Sequence, residues 1–112
     1  MHEFSIVQNI VDIALESAAN HHLNTISAVE VEVGKASGVI REAMEFAWEA
    51  AIKGTLLNKA ELKIREVPLL VRCTICQRRY QPDDLYEACP GCGEISPEII
   101  SGQELKVTAI ET

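Results

Sequence analysis

Residues 73–92, CTICQRRYQPDDLYEACPGC, contain all four cysteines of the chain, in two pairs with twelve residues between them. Two C-x-x-C pairs at this spacing predict two knuckles brought face to face around one tetrahedral metal ion. Each pair lets the chain reverse while both thiolates point inward, and Pro90, Gly91 and Gly93 suit such a turn. Two disulfides are the alternative use of the four thiols. They need an oxidising compartment, and the chain starts without a charged and apolar signal segment. Zinc is the favoured ion, and iron, which would colour the protein red, is the other reading. A site closed by four cysteines is structural, so function has to be sought outside it.

Working outward, the flanks read as an α+β unit interrupted by this module. On the N-terminal side, residues 5–20 form an amphipathic helix. Phe4, Val7, Ile10, Val11, Ala14 and Ala18 recur at helical intervals, Ser5 and Gln8 have capping-box spacing, and a start one or two residues earlier fits equally. Asn20, His21 and His22 end it. Residues 26–33 alternate, with Val29, Val31 and Val33 on one face and Glu30 and Glu32 on the other, as in a half-buried strand. After a loop at 34–38, a second helix is expected over about 39–53. Its inner stripe reads as Ile40, Ala43, Ala47, Ala50 and Ala51, with Gly54 as its stop. Leu62 and Ile64 alternate with Glu61, Lys63 and Arg65 in a second strand closed by Pro68. Leu105, Val107 and Ala109 alternate with Lys106 and Thr108 in a third.

The expected fold is therefore α+β: a three-stranded sheet with two helices on one face and its other face charged, plus an inserted zinc-ribbon module. Residues 1–69 and 99–112 would make the larger unit and residues 70–98 the module. Glu30 and Glu32 are placed to pair across strands with Lys63, Arg65 or Lys106. Two connections would tether the module, restricting its orientation without fixing it.

With 47% hydrophobic but only 4% aromatic residues, the core should be aliphatic and alanine-rich. No apolar run approaches the length that spans a bilayer, and the chain reads as soluble and cytoplasmic. The net charge of −7 opposes a nucleic-acid surface. Arg72, Arg78 and Arg79 beside the first cysteine pair are outnumbered by Asp83, Asp84, Glu87, Glu94 and Glu98, and are read as offsetting the charge of a metal held by four thiolates. No serine, histidine and acid set and no phosphate-cradling glycine loop supports an enzyme. Thiol redox work and a nucleic-acid-binding ribbon are the rival functions.

The chain begins Met1-His2-Glu3. A bulky second residue should leave the initiator methionine in place. Its amine, the His2 backbone nitrogen and the His2 imidazole can close fused chelate rings around one ion, with the backbone nitrogen or carboxylate of Glu3 as a further donor. Nitrogen donors in a plane suit Ni(II) and Cu(II). Copper outcompetes nickel on affinity, so the motif alone does not choose the metal.

The MHE terminus, the leading helix, Val31-Glu32-Val33-Gly34 followed by Ser37-Gly38-Val39, then Phe46-Ala47-Trp48, Gly54-Thr55, Ala60, Leu62, Val67-Pro68 and the two cysteine pairs together resemble the HypA/HybF family. These are nickel metallochaperones of [NiFe]-hydrogenase maturation, and the likeness runs over nearly the whole chain. The resemblance implies nickel bound through Met1, His2 and Glu3, and structural zinc through Cys73, Cys76, Cys89 and Cys92. It implies a HypB-type GTPase as partner and the hydrogenase large subunit as recipient, with urease served in some relatives. Gln77 departs from the glycine that often follows a zinc knuckle, whereas Gly93 keeps it. His21 and His22 read first as a solvated helix end, Met44 and Trp48 as packing residues, and Glu42, Glu45 and Glu49 as a wet helix face.

Overall fold

A computed structural model describes residues 3–112 and resolves eight elements. In order they are α1 (Glu3–Asn20), β1 (Ala28–Gly34), α2 (Arg41–Ala51), β2 (Glu61–Val67), β3 (Leu70–Cys73), β4 (Arg79–Tyr80), β5 (Pro97–Ser101) and β6 (Leu105–Glu111). The strands form two separate three-stranded sheets, ordered β2-β1-β6 and β4-β3-β5. The α+β fold with an inserted ribbon is as the sequence pattern predicts. The small sheet takes in residues 99–101, which pattern alone assigns to the larger unit, because Leu70 pairs with Ser101 and Val71 with Ile99.

In the larger sheet, β1 is central. It runs parallel to β2 and antiparallel to β6. A parallel pair cannot be closed by a tight turn, so α2 supplies the crossover. The apolar side of β1, with Val29 and Val31 fully buried, lies in one core with Val7, Ile10, Val11, Ala14 and Ala18 of α1 and Met44, Ala47 and Trp48 of α2. Trp48 satisfies its indole N–H inside that core by donating to the Ala60 carbonyl at 3.1 Å, which ties α2 to the start of β2.

The buried stripe of α2 differs from the alanine stripe read from the sequence. Met44, Ala47 and Trp48 face the core, Ala50 is exposed, and Ile40 lies outside the helix with 59% of its surface open. Alanine fits either face of a helix, so it does not set the phase. The large Met44 and Trp48 do, because each buries far more apolar area. On the charged face, Glu32 meets Arg65 at 2.7 Å and Lys106 at 3.5 Å, whereas Lys63 pairs with Glu111 at 2.8 Å. Opposite Glu30 and Val31 of β1 the register of β6 slips, leaving Thr108 without an opposite residue. Its hydroxyl turns instead to the Glu30 carbonyl and carboxylate. This bulge reverses the alternation, so Ile110, not Ala109, packs on the core.

The end of α1 is built on histidine. His22 adopts φ 53, while the Leu23 amide donates to the Ala18 carbonyl and the His22 amide to the Ala19 carbonyl. That pairing is a Schellman stop, a place glycine usually fills. His21 Nδ1 lies 2.9 Å from the Ser17 carbonyl. At the other end Ser5 sits inside α1, two residues past its first, and does not cap it.

The two chain passages between the sheets run through a tight backbone junction. A Cβ on Gly34 would stand 2.1 Å from the Gly102 carbonyl oxygen, and one on Gly102 would stand 2.7 Å from the Leu69 Cα. The Ala36 amide donates to the Gly102 carbonyl at 2.7 Å, the Gly34 amide to the Glu104 carbonyl at 2.6 Å, and the Lys35 amide to the Val67 carbonyl at 2.8 Å. Lys35 also reaches Asp83 of the ribbon at 3.6 Å. Glu104 adds a side-chain clasp, accepting from the Gly102 amide at 2.7 Å. Hydrogen bonds from its own amide and that of Gly102 hold its carboxyl below the usual carboxylate value.

Candidate metal centre

Cys73 closes β3, and the chain turns at once through Thr74, Ile75 and Cys76 into the short β4. In this first knuckle the Gln77 amide donates to the Cys73 carbonyl at 2.9 Å, and the Cys73 amide to the Arg78 carbonyl at 2.8 Å. The second knuckle repeats this spacing. The Gly93 amide donates to the Cys89 carbonyl at 2.9 Å, and the Cys89 amide to the Glu94 carbonyl at 2.9 Å. Gln77 and Gly93 hold equivalent places and the same left-handed backbone, φ 69 and φ 78. The departure from glycine at residue 77 therefore leaves the turn intact at the cost of a strained φ. The Gln77 side chain offsets part of that strain by donating to the Thr74 carbonyl at 3.2 Å. The knuckles are pinned together where the Thr74 amide and hydroxyl meet Ser96.

This arrangement brings all four sulfurs within 4.8 Å of one another, the one such group of possible metal ligands among the described residues. The Sγ of Cys73 lies 3.6 Å from that of Cys92, and the Sγ of Cys76 lies 3.5 Å from that of Cys89. Metal–sulfur bonds of about 2.3 Å in a tetrahedron separate the sulfurs by roughly 3.8 Å, whereas a disulfide requires about 2.05 Å. The cluster therefore fits a tetrahedral ion such as zinc, and the four thiols are unbridged. The Cys73 and Cys89 residues are buried and Cys76 and Cys92 lie toward the surface, while the sulfurs themselves are packed together and part-buried.

The proton affinities show why a cation belongs here. The backbone amide of Cys76 leads in holding the Cys73 thiol below its ordinary value. Cys89 is lowered to about 7, chiefly by the amide of Cys92 and then by that of Gly91. For Cys92 the Glu94 amide pulls downward, but burial and the three neighbouring sulfurs outweigh it and push the thiol up to about 12. Sulfurs this close repel one another once ionised, and a bound cation would offset that charge. Of the nearby arginines, Arg72 is engaged with Glu98 at 2.9 Å, while the Arg78 side chain lies against Gly91 between the knuckles.

The other sequence-predicted ligands lie at the opposite end of the logic. Met1 and His2 fall outside the described residues. Glu3 opens α1, and its carboxylate accepts from the Ile40 amide at 3.3 Å. Next to that contact a cleft of about 350 Å³ is floored by Val33, Val39, Met44 and Ile64 and rimmed by Lys35, Glu42 and Glu66. Sequence reasoning did not find the Glu3–Ile40 contact, and no local pattern announces a partner so distant in the chain.

Fold and site together define a small α+β protein carrying a ribbon whose four cysteines could hold a metal ion. The whole chain, residues 1–112, matches the family described as hydrogenase/urease nickel incorporation, metallochaperone, hypA. Among its relatives are hydrogenase maturation factors HypA from Roseiflexus sp. (strain RS-1), 41% identical over 99% of this chain and 91% of that one, and from Chloroflexus aggregans, 42% identical over 100% and 99%. A solution structure of the Ni metallochaperone HypA from Helicobacter pylori superimposes with a TM-score of 0.68 at 26% identity, covering 99% of this chain and 97% of that one. A second HypA solution structure gives 0.73 at 25% identity, covering 99% and 95%. The chain thus belongs to the HypA family of nickel-incorporating metallochaperones acting in hydrogenase maturation.

Proposed function

We propose that this protein carries Ni(II) on its amino terminus, through Met1, His2 and Glu3, and hands it, with a HypB-type GTPase, to the large subunit of a [NiFe]-hydrogenase. Urease maturation is a second outlet for the same cargo. The observation that carries this reading is the match of the entire chain, MHE terminus included, to a family of nickel-incorporating metallochaperones. The chain acts as a carrier and not as an enzyme. Its labour divides between a nickel-binding part built round the larger sheet and a zinc-binding part built round the smaller one.

Chemistry supports the division. The four-thiolate site is closed, and a closed site holds its ion. Zinc at Cys73, Cys76, Cys89 and Cys92 would fix the ribbon's shape and take no part in transfer. A chain end bearing an amine, a histidine and backbone nitrogens can open from one edge as a recipient's ligands enter, which a carrier requires. Unbridged thiols suit a reducing compartment such as the cytoplasm. Among the described residues no helix is long and apolar enough to cross a membrane.

Nickel titration of protein with an untagged native terminus, against His2→Ala, tests the reading. Loss of a direct ligand should weaken binding by more than the roughly 10–100-fold that loss of an outer-shell partner costs. Equal affinities in the two proteins would overturn the terminal grip. Binding should also weaken on acidification, since an imidazole near pKa about 6.5 and an amine near about 7.7–8.0 must shed protons to ligate.

A further inference from the structure

Units joined by short chain passages commonly turn about them as about a hinge, where a few residues absorb the change in φ and ψ. The passages here are residues 67–70, leaving the larger sheet, and residues 101–104, returning to it. A third segment, residues 34–36, is bonded to both. The Lys35 amide donates to the Val67 carbonyl of the first passage, and the Gly34 and Ala36 amides donate to the Glu104 and Gly102 carbonyls of the second. The passages also pair with each other, Leu70 with Ser101. Leu69 is buried at this crossing and lies outside the core of the larger sheet. Turning the ribbon would break these bonds and open Leu69 to water.

The tightest point is Gly102. Its φ of 112 is one that glycine adopts readily and other residues do not, and its amide donates to Oε1 of Glu104 at 2.7 Å. That carboxylate also accepts from the amide of its own residue, so it sits in a small nest of backbone donors that suits an anion. We infer that the junction of residues 34–36, 67–70 and 101–104 is a brace that fixes the ribbon's orientation on the larger sheet, with Glu104 as its positioning residue. Two tethers alone would restrict the ribbon without fixing it, and the bonds from the third segment remove the remaining freedom. The Lys35–Asp83 pair, between exposed side chains, adds little. A fixed ribbon presents its surface at a preset place relative to the chain start, so a recipient that engages both meets a preorganised pair. That use rests on the amino-terminal nickel reading, whereas the brace itself does not.

Residual dipolar couplings of the metal-loaded full chain read the orientation directly. Couplings from α1, α2, β1, β2 and β6 and those from β3, β4 and β5 should fit one alignment tensor. Glu104→Ala should need two, with the ribbon's the smaller. Glu104→Gln, which keeps an acceptor oxygen for the Gly102 amide, should stay with one, as should Lys35→Ala. Two tensors in the native chain would overturn the brace, and one in Glu104→Ala would overturn the role of Glu104. Two in Lys35→Ala would transfer that role to the ion pair. Metal content should be native in Glu104→Ala, and its loss would make Glu104 a residue needed for the ribbon to fold, not one that positions it. Tag-free Glu104→Ala should also bind nickel as the native chain does, and binding as weak as that of a damaged terminus would put Glu104 in the grip instead. If His2→Ala binds nickel normally, the terminal grip falls, while the tensors still decide the brace.

Discussion

The two sheets are similar in strand number and opposite in what holds them. Around β1 the interior is a continuous apolar cluster from both helices and the sheet, with Met44, Leu57, Val7, Val11, Val29 and Val31 wholly buried. No residue between 65 and 104 joins that cluster. On the ribbon side the buried apolar side chains are Leu69, Val71, Pro82 and the cysteines Cys73 and Cys89, while Ile75, Tyr86, Ile95 and Ile100 face water. A sheet with so little to bury cannot offset the conformational entropy of its own ordering by the hydrophobic effect. The larger unit therefore folds by burial, and the ribbon's four cysteines could supply by coordination what its small interior lacks.

Removing the metal is the most severe way to break this comparison. Structural zinc in small modules is worth on the order of 10–16 kcal/mol of apparent binding free energy, all of it folding free energy. A chelator, or Cys89→Ser, should erase amide protection in β3, β4 and β5 while β1, β2 and β6 keep theirs. Collapse of both sheets together would show that the junction makes them one cooperative unit.

The converse experiment attacks the burial side. Met44→Ala leaves a cavity in a fully buried place and should lower the stability of the larger unit by about 2–5 kcal/mol, read from the denaturant midpoint. Metal content should stay native. Loss of metal in this variant would mean that the ribbon leans on the core across the Gly34–Gly102 contact more than its own coordination implies.

The smallest effect sharpens the comparison inside the ribbon itself. Gln77→Gly relieves a left-handed backbone that costs an ordinary residue about 1–2 kcal/mol, and gives up a side-chain hydrogen bond worth about 0.5–1.5 kcal/mol. The variant should hold its metal equally or slightly better in competition with a chelator. Weaker retention would show that the Gln77–Thr74 bond, and not backbone ease, sets the first knuckle.

Much of this was legible before any coordinates. The cysteine spacing announced two knuckles, and the period-two run at Val29, Val31 and Val33 announced a half-buried strand, because both signals are local. Three features were not. The alanines of α2 suggested a stripe that Met44 and Trp48 override, since small residues fit any face. The bulge at Thr108 moved Ile110 into the core in place of Ala109, and nothing in β6 alone marks where its register slips. Glu3 reads as a terminal acid until the extended Ile40 is seen to need an acceptor.

The sequence by itself determined which side chains could meet a metal, which strands had one wet face, and which family the chain resembles. These depend on spacings of a few residues and on short-range backbone preference. Only the tertiary structure decided the parallel pairing of β1 with β2, the backbone junction of Gly34, Leu69 and Gly102, and the reach of Glu3 to α2. Those depend on close approach between segments far apart in the chain, where a single oxygen at hydrogen-bonding distance, or the absence of a Cβ, selects one arrangement from many that local pattern allows.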